Sequence, residues 1–143
     1  MTEAAEKYFN RLYPDGEFKL ASTDPEFAEF FANFSCDEVV NQDDLDDRTR
    51  MMAILATLLG CQGIDEFREV LPGGLNLGVT PVEVKEIVYQ ACAYLGIGRV
   101  RPFFDVVNEV LTEKGIALPL EGQATTTIED RVEKGEQAQV DIF

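Results

Sequence analysis

The chain has no histidine and three cysteines, Cys36, Cys61 and Cys92. The missing histidine removes the commonest general base and the commonest transition-metal ligand. It also excludes every serine or cysteine nucleophile that relies on a histidine partner. No two of the cysteines stand in a Cys-x-x-Cys pair, so sequence neighbours cannot form a dithiol centre. Asp43, Asp44, Asp46 and Asp47 offer clustered oxygens of the kind a hard cation takes. Their run lacks the glycine and spaced glutamate of a calcium loop. The simpler reading is a helix start, where the dipole favours acidic side chains.

The elements that must position such groups are helical. The stretch from Glu66 to Leu95 carries the clearest signal. Leu75 to Gly78 reads as the end of one helix, with Gly78 in the left-handed position that glycine takes without steric cost. Thr80 caps the next helix, Pro81 takes its first position, and Glu83 completes a capping box. Val84, Ile87, Val88, Ala91, Cys92 and Leu95 then form one apolar face.

Further helices are expected on either side. One covers residues 2 to 12 with Ala5, Tyr8, Phe9 and Leu12 on one side. A second opens at Asp24 and Pro25, and its stripe of Phe27, Phe30, Phe31 and Phe34 is expected to be core. A third runs from about Leu45 to Leu59. Its second half is apolar nearly all round, which predicts burial on every side or partly in a subunit interface. Helix four covers Ile64 to Asn76, where Pro72-Gly73-Gly74 should kink or shorten it. Gly96 and Gly98 precede helix six, which carries Val100, Phe103, Phe104, Val107, Val110 and Leu111 and ends at Gly115. Residues 116 to 125 read as an extended linker, and the tail as a polar helix capped by Thr126 or Thr127. No period-two alternation calls for a strand, so the fold class is all-α.

Net charge is −15, from 27 acidic against 12 basic residues. That balance argues against a nucleic-acid or anionic-membrane surface. No stretch reaches the roughly 18–20 apolar residues of a membrane span. The N-terminus is charged and amphipathic, not a signal peptide, and a cytoplasmic protein is expected.

Several of these residues together resemble the carboxymuconolactone decarboxylase family, part of the alkylhydroperoxidase D-like superfamily. They are Leu45 to Arg50, the turn at Gly73, Leu75, Asn76 and Gly78, Val79 to Glu83 with Ile87, Gln90 to Gly96, and Asn108 to Leu111. The resemblance covers about Pro25 to Leu111. It implies an alkylhydroperoxidase D-like bundle of about six to seven helices built around a helical hairpin, in residues 1–115. It also implies a homotrimer or homohexamer and neither metal nor organic cofactor. Residues 116–143 would then be a linker and a helix resembling the start of a second copy. A linker of that length can carry the tail to a neighbouring subunit.

The resemblance also marks departures. Family members usually carry a histidine where this chain has Val70. The peroxidase branch places its cysteines at Gly63 and Glu66 and a glutamate at Met51. What remains near the expected cleft is Cys61, Glu66, Arg68 and Asn76. Glu66 is a candidate general acid if burial raises its pKa, and Cys61 a candidate thiol. Arg68 or Arg50 can hold a substrate carboxylate in a bidentate pair, with Asn76 beside it. Each has a plainer reading: Cys61 and Cys92 as packing, Glu66 with Arg68 as a solvated pair, Asn76 as helix-end chemistry. Three functions are therefore expected to compete. They are decarboxylation of a small carboxylated lactone or keto acid, small-ligand binding or assembly without catalysis, and single-cysteine peroxide chemistry at Cys61.

Overall fold

In a computed structural model, which describes residues 1–16 and 18–143, the turn at Gly78 forms as its residues require. Helix α4 (Ile64–Asn76) ends there and α5 (Pro81–Leu95) begins. Gly78 has φ +97°, and the Val79 N–H reaches back to the Gly74 carbonyl at 3.0 Å. This closes the end of α4 with the six-to-one bond of a Schellman motif. The Thr80 side chain accepts from the Glu83 N–H at 3.2 Å, and the Glu83 carboxylate accepts from the Thr80 N–H at 2.9 Å. The capping box is complete.

The remaining elements are α1 (Glu3–Leu12), α2 (Pro25–Asn33), α3 (Asp47–Gly60), α6 (Ile97–Glu113) and α7 (Arg131–Ile142). A short 3-10 turn covers Lys19–Ser22, and α2 runs on into a π turn at Phe34–Glu38. Among the described residues there is no strand. Helices α3 and α4 form a hairpin; α5 packs on α3, and α6 packs on both α5 and α4. Helix α1 lies across α4 and the π turn. Ala5, Tyr8, Phe9 and Leu12 of α1 are all buried, as its periodicity requires. Between α4 and α6 the rings of Phe67 and Phe103 meet edge to face, with centroids 5.1 Å apart. Each such buried side chain contributes about 1.5–3 kcal/mol.

Four expectations are corrected. The phenylalanine stripe of α2 is not core: Phe27, Phe30, Phe31 and Phe34 are 42–65% exposed. The small residues Ala28 and Ala32 turn inward instead, because only a small-residue face lets α2 approach its neighbours closely. Within one chain, helix α3 buries one stripe, Met51, Leu55 and Leu59, rather than its whole circumference. Helix α4 runs unbroken through Pro72. The proline removes one helical hydrogen bond, but Gly73 lies so close to Leu12 and Tyr13 that a Cβ there would stand 3.0–3.1 Å from their side chains. That contact holds the segment against α1. Finally, Asp24 stands at the start of α2 without a side-chain capping bond; its carboxylate accepts from the Thr23 hydroxyl instead. Helix α7 starts at Arg131 behind a turn that Thr127 closes as expected: its N–H bonds Asp130 Oδ1 at 2.6 Å, and its hydroxyl accepts from the Asp130 N–H at 3.4 Å.

No described helix is long and apolar enough to cross a membrane.

Candidate functional site

Glu66 and Val70 lie four residues apart on α4 and therefore share a face. That face forms one wall of a cleft of about 210 Å³. Helix α1 contributes Tyr8, Phe9 and Leu12, with Tyr13 just beyond its end, and the π turn contributes Ser35 and Cys36. Helix α3 closes it with Arg50, Met51, Ile54 and Leu58. The cleft is smaller than the roughly 300–1,000 Å³ of a drug-sized site; it suits a single small ring.

Arg50 is the buried cation of this wall, 7% exposed. One guanidinium nitrogen, Nη2, donates to Asp43 Oδ1 at 2.9 Å and to the carbonyls of Leu45 at 3.2 Å and Val40 at 3.4 Å. These bonds tie α3 to the segment before it. The Nε atom is buried and has no hydrogen-bond partner among the described residues. A buried donor without a partner costs about 1–3 kcal/mol.

Two tyrosines and a cysteine complete the polar inventory, and the sequence reading did not single them out for this site. Burial, with Glu66 nearby, pushes the Tyr13 phenol up to about 12. Burial and its 2.9 Å bond to Asp47 push the Tyr8 phenol up as well. Burial also raises the Cys36 thiol. All three groups are therefore held protonated near neutral pH, which leaves Tyr13 an O–H donor and Cys36 a poor nucleophile. Tyr13 ionises later when folded than its ordinary value of 10.0. It therefore contributes stability below pH 10 that is lost as pH rises toward 12. An ultraviolet titration should show a phenolate step near pH 12 in the native protein that Tyr13→Phe removes. Their only sequence signal was apolar spacing for Tyr8, and nothing local marked Tyr13 or Cys36.

The other sequence candidates fall elsewhere. Arg68 points to the α6 side and pairs with Glu109 at 2.5 Å, so it does not form the expected solvated pair with Glu66. Two residues along a helix are about 200° apart around it. Asn76 donates from Nδ2 to the Leu12 carbonyl at 2.7 Å, a tether between α4 and α1. Cys61 is exposed at the end of α3, not packed, with Sγ 3.4 Å from the Leu58 carbonyl. Cys92 is half-buried, and all three cysteines are free. The acidic run is structural: Asp46 caps α3 by accepting from the Thr49 N–H at 2.9 Å, Asp43 holds Arg50, and Asp47 accepts from Tyr8 and Arg11.

Two larger depressions hold none of these candidates. One, of about 570 Å³, lies between α3 and α5. The other, of about 530 Å³, lies where residues 118–123 cross α5 and α6.

The model of the carboxymuconolactone decarboxylase family matches residues 25–109. The chain is also 30% identical over 112 residues to a 4-carboxymuconolactone decarboxylase of Acinetobacter baylyi, across 78% of this chain and 81% of that protein. The matched region begins with α2 and spans α3, α4 and α5. Helix α1, which supplies Tyr8, and the adjoining Tyr13 lie outside it.

Proposed function

The chain belongs to the carboxymuconolactone decarboxylase family, and from that premise we propose that its α1/α3/α4 cleft binds a small carboxylated lactone or keto acid and removes the carboxylate as carbon dioxide. The observation that carries the reading is Arg50, a buried arginine among the residues that line that cleft, whose Nε–H has no partner among the described residues. Of the four positions that the family resemblance marks for reacting groups, Met51, Glu66 and Val70 line the same cleft and Gly63 does not.

The chemistry divides among these residues. Arg50 orients the ligand by one carboxylate. The apolar wall of Phe9, Leu12, Met51 and Val70 strips water from the carboxylate that leaves, which favours the uncharged product. When the carbon–carboxylate bond breaks, its electron pair passes into the ring toward the lactone carbonyl. A proton must then be returned to ring carbon. Tyr13 supplies an O–H in the cleft wall, and Glu66 beside it can restore that proton. No step passes through Val70, where the family resemblance implies a histidine. Proton transfer by a positioned group contributes about 10²–10⁴-fold, so removing the Tyr13 hydroxyl is expected to slow turnover by up to that factor.

The test is incubation of the protein with 4-carboxymuconolactone while following carbon dioxide release, alongside calorimetric titration. Release above the buffer rate that Tyr13→Phe and Glu66→Gln reduce supports decarboxylation. Saturable binding without release would reduce the function to ligand binding, and the absence of both binding and release would overturn the reading.

A further inference from the structure

Helix α7 buries none of its residues. Val132, Val140 and Ile142 are 66–74% exposed, and Phe143 is fully exposed. A helix of 12 residues with a glycine, Gly135, inside it is marginal on its own in water. Its order calls for a surface to pack on.

The groove between α3 and α5 is such a surface. It is floored by Ala56, Leu59 and Ala91 and walled by Met52, Ile87 and Tyr94. Small residues on the floor allow a third helix to approach closely, and Tyr94 stands 77% exposed at the edge. One ion pair is open to the pairing. Glu86 on the rim and Arg131 at the start of α7 have no ion-pair partner among the described residues. The chain's own tail and own groove are both present here and do not meet. Residues 118–123 instead cross the other flank of α5, over Lys85, Tyr89 and Asn108. The stretch from 120 to 130 spans roughly 35–40 Å when extended, enough to leave its own subunit.

We propose that α7 of one copy docks in the α3/α5 groove of a second copy, with Arg131 against the partner's Glu86. Assembly is then built from tail-to-groove contacts, and it is independent of the chemistry assigned to the Arg50 cleft.

Limited trypsin digestion reads tail docking directly, at Arg131 and Lys134. In full-length protein at micromolar concentration, cleavage there should be about tenfold slower than in Val132→Asp. Dilution should abolish the protection, and sedimentation should show a species above 15.9 kDa. Tyr94→Asp should expose the tail as fully as Val132→Asp does. Both substitutions fall on exposed side chains, so neither threatens the fold. An equimolar mixture of the two variants should regain protection, since the intact tail of one meets the intact groove of the other. Equal cleavage in wild type and Val132→Asp would overturn the proposal. So would protection that survives dilution, which would mean docking within one chain, or a mixture that stays unprotected.

Discussion

Replacing Phe67 with alanine should lower the unfolding free energy by about 3–5 kcal/mol. Phe67 is fully buried, and its ring meets Phe103 edge to face at 5.1 Å and 86°. The substitution deletes the ring's transfer energy and leaves a cavity between α4 and α6 that two rigid helices cannot close. A domain of this size is stable by about 5–15 kcal/mol in all, so the change removes roughly a fifth or more of the total. Thermal unfolding should fall by roughly 10 °C. Phe30→Ser supplies the contrast. Phe30 is 65% exposed on the single chain, and surface changes of this kind stay within about 0.5 kcal/mol. A calorimetric scan of both variants checks the pair. Equal losses would mean that α2 buries its stripe after all.

Those two phenylalanines also show what the sequence could and could not reveal. The turn at Gly78 and the Thr80–Glu83 box were legible because every group they need lies within a few residues. Helix number, the linker and the end of α6 at Gly115 were legible for the same reason. Which face a helix buries is a different question. Helix α2 presents an aromatic stripe and a small-residue stripe, and the choice between them belongs to its neighbours. On α3 likewise, an apolar side chain such as Ile54 has no facing helix within the chain and stays exposed there. Within the candidate site, Arg50, Glu66 and Val70 could be named from the motif region. Tyr13 and Cys36 could not, because α1 and the π turn reach the cleft only through long-range packing. Arg68 and Asn76 share a helix with Glu66, but Arg68 turns to α6, while Asn76 tethers the end of α4 to α1.

Arg50→Lys should weaken binding of a small carboxylate by about 10–100-fold while leaving most of the fold's stability in place. Arginine here does two things with separate atoms. Nη2 holds Asp43 and the carbonyls of Val40 and Leu45, and Nε is left over. Lysine keeps the charge but offers a single nitrogen, which serves the protein acceptors or the ligand and not both. A charge-assisted hydrogen bond lost from the complex is worth about 1.5–3 kcal/mol, and each 1.4 kcal/mol is tenfold in affinity. Arg50→Met goes further. It strands the Val40 and Leu45 carbonyls, at about 1–3 kcal/mol for each acceptor that stays buried, so it should reduce stability and binding together. Titration calorimetry with 4-carboxymuconolactone, beside thermal unfolding of both variants, separates the two roles. If Arg50 only braces the start of α3, lysine and methionine will lower stability while the lysine variant binds as wild type does. If its Nε anchors the ligand, the lysine variant will stay folded and lose affinity.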